Sequence, residues 1–406
     1  MMRFRCVGVG LVLSAFLCGD AFCQQSSPEA AQQYSAAVAL QNQQLYDLAA
    51  DEWQAFLKAH PDHELAQKAQ YYLGVCRFQQ GDYRSAERAF AAATEGGRFK
   101  LLGSAYLNLG LAQFNQSQQA ASGDDSLQRA IKTFEQMAER VPEAEELEEA
   151  MFYLAEAQYA AGDAAAALTT YHRTLRQFPQ HPRRLELLYG LGTTAAERDK
   201  SQTAKDAFSK IVSMSVSDRS KAERALIREA QIRLADLLLA EGSAGKAQRL
   251  LEAASADQRG ALADYALLRL AESHFVSEQY DQAARVFEQV VSQFPKSEYR
   301  VSAIVGAGKS RLLGDDPAHA VAWLTSQQAA IDRKHAAEAA HWLARGYLKQ
   351  GQAEQAQRVA ANALNQTDAG PWHPQLMMDA ADGSFASGDK AKAAQQYARV
   401  AERYPD

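Results

Sequence analysis

The sequence predicts an all-α fold: a right-handed superhelical solenoid of about ten helix pairs. Three observations predict it. One alanine recurs at intervals of 36 or 37 residues, a small residue precedes that alanine by twelve positions, and glycine or proline marks the ends of the units. With 47% hydrophobic residues, 24 glycines and 10 prolines in 406 residues, the chain is neither wholly disordered nor collagen-like. A period of this length is typical of helical repeats, which bury their apolar faces only by stacking.

The alanine series fixes the register of the repeats. Its spacing departs from 36 or 37 only twice, and a large residue follows the alanine by four positions in nine of the ten repeats. We therefore expect each alanine to lie on a second helix that packs against a preceding first helix. The ten alanines are Ala49, Ala86, Ala130, Ala167, Ala204, Ala247, Ala283, Ala320, Ala356 and Ala393.

Each first helix is predicted from a second small residue, which lets two helix backbones approach closely. Glycine five positions before the alanine, as at Gly81 and Gly162, permits the left-handed conformation that ends a first helix. Proline twelve positions after the alanine, as at Pro61, ends the second helix. In the third repeat an insertion displaces the small residue to Gly110; the other nine, twelve positions before the alanine, are Ala37, Gly74, Ala155, Gly192, Ala235, Ala271, Gly308, Ala344 and Ala381.

This order of small, alanine, aromatic and proline positions resembles the tetratricopeptide repeat across about residues 29 to 406. The period is slightly longer than the roughly 34 residues of that family, which implies slightly longer helices. The segment from Phe294 to Tyr299 is similar to the repeat junctions of bacterial periplasmic members, among them the Tol-associated cell-division coordinator and the outer-membrane assembly lipoprotein. The resemblance implies a groove lined by the first helices, in which polypeptides bind.

Two segments interrupt the period. Residues 115–123 are rich in Gln, Ser and Ala and are predicted to form a loop. Residues 212–225 form a junction without the closing proline, where we expect a longer loop or, alternatively, a hinge.

The first 23 residues have the features of a secretory signal peptide. Two arginines precede an apolar run from Val7 to Leu17, which is too short to span a bilayer. Small residues at Ala21 and Cys23 fit cleavage before Gln24, so the mature repeat array is predicted to occupy residues 24–406 in the periplasm or outside the cell. A lipoprotein anchored at Cys18 or Cys23 is the alternative, although neither cysteine follows the small residue that lipid attachment usually requires.

Nothing in the sequence points to catalysis, a cofactor or a metal ion. A net charge of −6 without a basic stripe argues against nucleic acid as a partner. Residues 303–310 end in Gly308-Lys309-Ser310 and match a relaxed phosphate-binding loop, but the register places them inside a first helix, where the backbone N–H groups are already bonded. The one cysteine outside the signal segment, Cys76, adjoins a predicted helix crossing and is interpreted as a buried, inert thiol.

Candidate binding residues are predicted on the first helices that line the groove. An acidic segment or a C-terminal carboxylate could contact the apolar indole of Trp342 and the two cations Arg345 and Lys349. The alternative is that Trp342 packs against repeat ten. Other charges on this wall are expected to neutralise each other within one helix, Arg233 with Asp236 and Arg269 with Glu272. The remaining groove candidates are Lys309, Tyr153 and Tyr72.

Two functional interpretations remain. The first is an exported, non-enzymatic scaffold that binds polypeptides at the bacterial cell envelope, with peripheral membrane association as an option. The second is a helical platform module of a cell-wall hydrolase or of a larger enzyme. The repeats leave about 28 residues before them and none after, which favours the scaffold. Because the last repeat lacks a polar capping helix, a weak homodimer through the C-terminal repeat is also expected.

Export can be tested on the purified protein. Mass spectrometry of the mature chain should give an N-terminus at Gln24, because the residues before it meet the requirements for signal cleavage. A diacylglyceryl mass on Cys18 or Cys23 would instead identify an anchored lipoprotein.

Overall fold

A computed structural model describes residues 28–95, 97, 99–119, 124–214, 219–256, 258, 260, 262–366 and 370–405. These residues form twenty α-helices and two short 3-10 turns, without a β-strand, which confirms the predicted all-α repeat fold. Backbone contacts divide the chain into two compact units, Met1–Ala161 and Gly162–Asp406. The predicted signal segment, residues 1–23, lies outside the described residues.

The first unit contains seven helices: α1 (Pro28–Asn42), α2 (Tyr46–Ala59), α3 (Ala66–Gln79), α4 (Tyr83–Glu95), α5 (Leu102–Gln119), α6 (Ser126–Arg140) and α7 (Leu147–Ala160). The second unit contains the remaining thirteen: α8 (Ala164–Gln177), α9 (Arg184–Glu197), α10 (Ser201–Val212), α11 (Lys221–Ala240), α12 (Ala244–Ser255), α13 (Ala263–Val276), α14 (Tyr280–Gln293), α15 (Arg300–Leu313), α16 (Pro317–Ser326), α17 (Ala336–Lys349), α18 (Ala353–Gln366), α19 (His373–Ala386) and α20 (Lys390–Arg403).

Within each unit, every helix packs against the next one along the chain. First helices also contact the first helices of neighbouring repeats, as α3 contacts α5 and α15 contacts α17. Each repeat therefore buries its apolar stripe against its neighbours, which is the stacking that defines a solenoid.

The residues of the alanine series form the centre of the packing. All ten alanines are buried, with at most 1% of their surface exposed. Where the small residue of the first helix is glycine, the large residue of the second helix packs directly on it: a Cβ added to Gly74 would lie 2.6 Å from the Phe90 ring, and one added to Gly308 would lie 2.5 Å from Leu324. The predicted crossing points are thus confirmed.

The turns between first and second helices share one conformation. Five positions before the alanine, the backbone has a positive φ in nine of the ten repeats, the exception being the third. Five of the nine residues are glycines, for which this conformation is unstrained. The other four are Gln44, Asp199, Glu278 and Asp315, with φ between 55° and 62°.

Three junctions that contain proline share a capping interaction that the sequence pattern did not reveal. Two residues after the proline, a side chain accepts a hydrogen bond from the backbone N–H two positions further on. His63 Nδ1 accepts from Leu65 at 3.1 Å, His181 Nδ1 accepts from Arg183 at 2.9 Å, and Ser297 Oγ accepts from Tyr299 at 3.1 Å. Each bond satisfies a backbone donor just before the next first helix.

The predicted loop at residues 115–123 is partly wrong, because α5 continues to Gln119. The extra turn is held by side chains of neighbouring helices: Gln116 donates to Glu87 at 3.0 Å and accepts from Arg129 at 3.1 Å. Residues 120–123 lie outside the described part of the chain.

The junction at residues 212–225 ends in a strong helix start. Ser220 and Glu223 form a reciprocal capping box at the N-terminus of α11, which runs for 20 residues. Residues 215–218 lie outside the described part of the chain, so the hinge at this place stays a prediction.

Replacing Ala283 with Leu should lower the free energy of unfolding by about 1–3 kcal/mol, because three added carbons have no space at a fully buried helix crossing. Gln282→Leu, at the exposed neighbouring position on α14, is the matched control and should change stability little. Equal shifts in melting temperature for the two variants would contradict the register.

Replacing Glu278 with Gly should raise the free energy of unfolding by up to about 1 kcal/mol, because glycine adopts φ near 58° without the steric penalty of a side chain. Gly351→Ala, at the equivalent turn with φ 73°, should have the opposite effect. Thermal melts of both variants test the pair, and a destabilised Glu278→Gly protein would show that the glutamate side chain has an unrecognised role.

Candidate partner-binding site

Two aromatic rings enclose the ammonium group of Lys309 on the first-helix face of the second unit. Lys309 lies on α15, next to the buried crossing residue Gly308. Its Nζ is 4.5 Å from the centroid of Phe275 on α13 and 5.2 Å from the centroid of Trp342 on α17. Three successive first helices therefore meet at one cation.

Lys309 makes no ion pair with an acidic side chain within the described residues. Cation–π contacts stabilise a partly buried ammonium without neutralising its charge. The site therefore presents a half-buried positive charge that retains its capacity to bind an anion.

Trp342 borders the same site and packs toward the next repeat, as the packing alternative predicted. Its ring centroid lies 4.7 Å from that of His341 and 6.4 Å from that of Trp372, both in edge-to-face geometry. The indole Nε1 is buried and has no hydrogen-bond acceptor in the described part of the chain. A buried N–H without an acceptor is uncommon.

A buried carboxylate binds the imidazole of His341, the ring that packs against Trp342. Asp379 on α19 has a side chain only 2% exposed, and its Oδ2 lies 2.6 Å from Nδ1 of His341. Burial raises the pKa of Asp379, while the hydrogen bond from His341 opposes the shift. This pair joins the ninth and tenth repeats and fixes the imidazole that contacts Trp342.

The two other cations predicted here already have partners. Arg345 Nη1 donates to Asp382 at 2.8 Å, and Asp382 also accepts the hydroxyl of Tyr397 at 2.6 Å. Lys349 Nζ lies 3.3 Å from both the carboxylate of Asp315 and the carbonyl oxygen of Leu312. Of the predicted cations, Lys309 is therefore the one whose charge is uncompensated.

The two tyrosines predicted for the groove are packing residues of the first unit. Tyr153 is 4% exposed and packs between Phe114 and Phe134, with centroid distances of 5.9 and 6.3 Å. Tyr72 is half-buried and stacks on Trp53 at 5.5 Å. Their rings fill space between repeats, and their part in binding a partner stays a prediction.

The expected pairing of charges within helices is half correct. Arg269 does pair with Glu272 on α13. Asp236, however, accepts from Arg269 at 2.8 Å instead of pairing with Arg233, whose Nη2 lies 3.7 Å from Glu229. The neighbouring first helix is close enough to compete with the next turn of the same helix.

Sequence reasoning missed Phe275 and Trp372 as parts of the site. Phe275 lies four positions after the small residue Ala271, at a position that is also aromatic in other repeats, as at Phe78 and Phe114, so the pattern did not single it out. Trp372 belongs to a 3-10 turn before α19, outside the repeat pattern. Only contacts between neighbouring repeats reveal either residue.

The other chemically suggestive features are structural. Residues 303–310 lie within α15, as the register predicted, and the Ser310 hydroxyl donates to the carbonyl of Gly306 at 2.7 Å. Cys76 is fully buried, and burial raises the pKa of its thiol to about 12.

In the part of the chain that the structure describes, no three His, Cys, Asp or Glu side chains are grouped as metal ligands. No helix among these residues is long and apolar enough to cross a membrane.

Family models confirm what the repeat geometry indicates. Models of the tetratricopeptide repeat match residues 34–99, 77–144, 238–304 and 376–406, and a model described as an outer membrane lipoprotein matches residues 111–238. The fold is that of a helical-repeat protein, and the chain belongs to the tetratricopeptide repeat family. No curated protein sequence is significantly similar to it.

Solved structures with similar folds have low sequence identity. The C-terminal part of a repeat-containing protein from Cytophaga hutchinsonii is 13% identical, with a TM-score of 0.49 over 66% of this chain and 98% of that one. The apo form of RapI is 14% identical, with a TM-score of 0.46 over 83% and 97%. The complex of Naa15/Naa10 with HypK-THB is 14% identical, with a TM-score of 0.40; the match spans 93% of this chain but only 64% of that chain's length.

The pH dependence of stability should identify the buried carboxylate. The pKa of Asp379 is higher in the folded protein than in the unfolded chain, so the folded protein binds a proton on this carboxylate more tightly. Burying the ionised carboxylate lowers the free energy of unfolding, and protonation removes this cost as the pH falls toward the ordinary pKa of 3.8. Relative to Asp379→Asn, the wild type should therefore gain stability on acidification through this window. Melts across a pH series test this, with Asp382→Asn as the less buried control; a relative loss of wild-type stability on acidification would contradict it.

Proposed function

We propose that the protein is an exported, non-enzymatic scaffold that binds an acidic polypeptide segment on the first-helix face of its second unit. The observation that carries this proposal is the uncompensated ammonium of Lys309 between Phe275 and Trp342. The membership of the tetratricopeptide repeat family supports polypeptide as the class of ligand.

The chemistry of the site favours an acidic side chain or a terminal carboxylate with an apolar neighbour. Lys309 would form a charge-assisted hydrogen bond with the carboxylate. The buried indole N–H of Trp342, which has no acceptor among the described residues, would become a second donor on rotation of the ring toward the ligand. The edge of the indole offers apolar contact. Arg345 and Lys349 would contribute only by exchanging their present carboxylate partners, Asp382 and Asp315, for the ligand.

The envelope location is supported by two independent features. The N-terminal residues have the pattern of a secretory signal, and the match to the outer membrane lipoprotein model covers residues 111–238. We infer a periplasmic or secreted protein, with peripheral association or a lipid anchor as the ways in which it would meet a membrane.

The alternative function is a helical platform that belongs to a cell-wall hydrolase or a larger enzyme. Proteins of this repeat family generally act as non-catalytic scaffolds, which favours the first interpretation. The two interpretations differ in what co-purifies from an envelope extract, since a platform should bring one enzyme in fixed proportion.

The homodimer through the tenth repeat stays a separate prediction that sedimentation at increasing concentration would test.

Two variants test the binding site. Lys309→Gln removes the charge and Trp342→Leu removes the indole, and each should reduce capture of partners from an envelope extract about tenfold, as expected when one member of a partly buried contact is lost. Lys334→Gln, at an exposed lysine, and Trp323→Leu, at another half-buried tryptophan of the same unit, are the matched controls. Folded Lys309→Gln and Trp342→Leu proteins that capture the same partners as wild type would refute the site.

A further inference from the structure

A second surface of the same unit forms a cleft on the side of the second helices. The cleft has a volume of about 460 Å³ and lies between α10 and α12, above α11. It is lined by Gln202, Lys205, Asp206, Ser209, Leu234, Leu238, Lys246, Arg249 and Leu250. None of these residues belongs to the site around Lys309.

This cleft coincides with an irregularity of the repeat. The series alanines of the two wall helices, Ala204 and Ala247, are 43 residues apart instead of 36 or 37. The intervening first helix α11 has 20 residues where most have 14. The two second helices that form the walls are thus joined by a longer first helix than those elsewhere in the unit.

The floor of the cleft is apolar. Leu234 and Leu238 lie one turn apart on α11, and Leu250 of α12 extends the same surface. Leu234 is 6% exposed, whereas the other two are half-buried and accessible from the cleft. Leucines one helical turn apart form a strip that matches the apolar stripe of another helix.

The rim of the cleft carries positive charge that is only partly neutralised. Lys205 pairs with Glu241 at 2.6 Å, and the carboxylate of Asp206 accepts from Gln202 at 2.7 Å. Lys246 and Arg249 are exposed, lie one turn apart on α12, and form no ion pair within the described residues. Two free cations at this spacing match carboxylates one turn apart on a facing helix.

We propose that this cleft binds an acidic amphipathic helix of a partner protein, with leucine-like side chains on the floor and carboxylates against Lys246 and Arg249. The strip of leucines on the floor favours an amphipathic helix over a small anion. The charge of the rim determines the sign of the ligand, and electrostatic attraction of this kind weakens with salt. This docking surface is independent of the Lys309 site.

The binding test uses two fluorescently labelled synthetic helical peptides of about 18 residues, long enough for helix formation in the bound state. Both peptides carry leucines at i, i+3 and i+4 spacing, with glutamates on the other face of one and lysines on the other face of the second. Fluorescence anisotropy with the full-length mature protein should show binding of the glutamate peptide alone.

Charge reversal then identifies the binding surface. Lys246→Glu combined with Arg249→Glu should weaken binding of the glutamate peptide at least about tenfold and create binding of the lysine peptide. Arg358→Glu combined with Lys392→Glu changes the net charge equally at exposed positions of α18 and α20 and should leave binding unchanged. Trp342→Leu should also leave it unchanged, which separates this surface from the Lys309 site.

Four outcomes would overturn the proposal. The first is that the wild type does not bind the glutamate peptide, and the second is that both charge-reversal proteins lose peptide binding equally. The third is that Trp342→Leu loses peptide binding. The fourth is that the protein binds phosphatidylglycerol vesicles through Lys246 and Arg249 but does not bind the peptide. The last outcome would identify the cleft as a site for anionic lipid.

Discussion

The close approach of two helix backbones at one small residue per repeat is the contact on which the rest of the structure depends. At Gly110 an added Cβ would lie 2.3 Å from the Phe134 ring, so even one methyl group would force this ring of the second helix to move. Where the small residue is glycine, the large side chain of the second helix occupies the space that the missing Cβ leaves, and the buried alanine of the same helix completes the contact. Because each crossing fixes the angle of one helix pair, it also fixes where the next first helix can lie.

The candidate site is a direct consequence of this regular stacking. Lys309, Arg345 and Asp382 each follow the small residue of their repeat by one position, whereas Trp342 and Asp379 precede it by two. Equivalent positions on successive first helices lie side by side. Residues one position after the small residue and two positions before it therefore line one surface. The stacking brings Trp342 to Lys309 and Asp382 to Arg345, each across a repeat boundary.

The sequence was sufficient to predict the structural features that occur in every repeat, and it was insufficient to predict those that occur only once. The alanine series, the glycine crossings and the left-handed turns follow from steric requirements that recur along the chain. The continuation of α5 to Gln119 depends on side chains of two other helices, and the partner of Asp236 depends on a geometric competition between two arginines. Neither outcome is determined by local spacing. The enclosure of Lys309 by Phe275 and Trp342 likewise involves residues more than thirty positions away on each side.

The enclosure of Lys309 has a consequence for the entropy of recognition. A free lysine side chain has many rotamers, and immobilising it at an interface costs about 0.5–1.5 kcal/mol. Contact with two rings restricts this side chain when the protein folds, so part of the loss of rotamer freedom precedes the arrival of a ligand. Arg345 and Lys349 must leave their carboxylate partners before they can bind an anion, whereas Lys309 is already held between two rings and has no such partner to leave among the described residues.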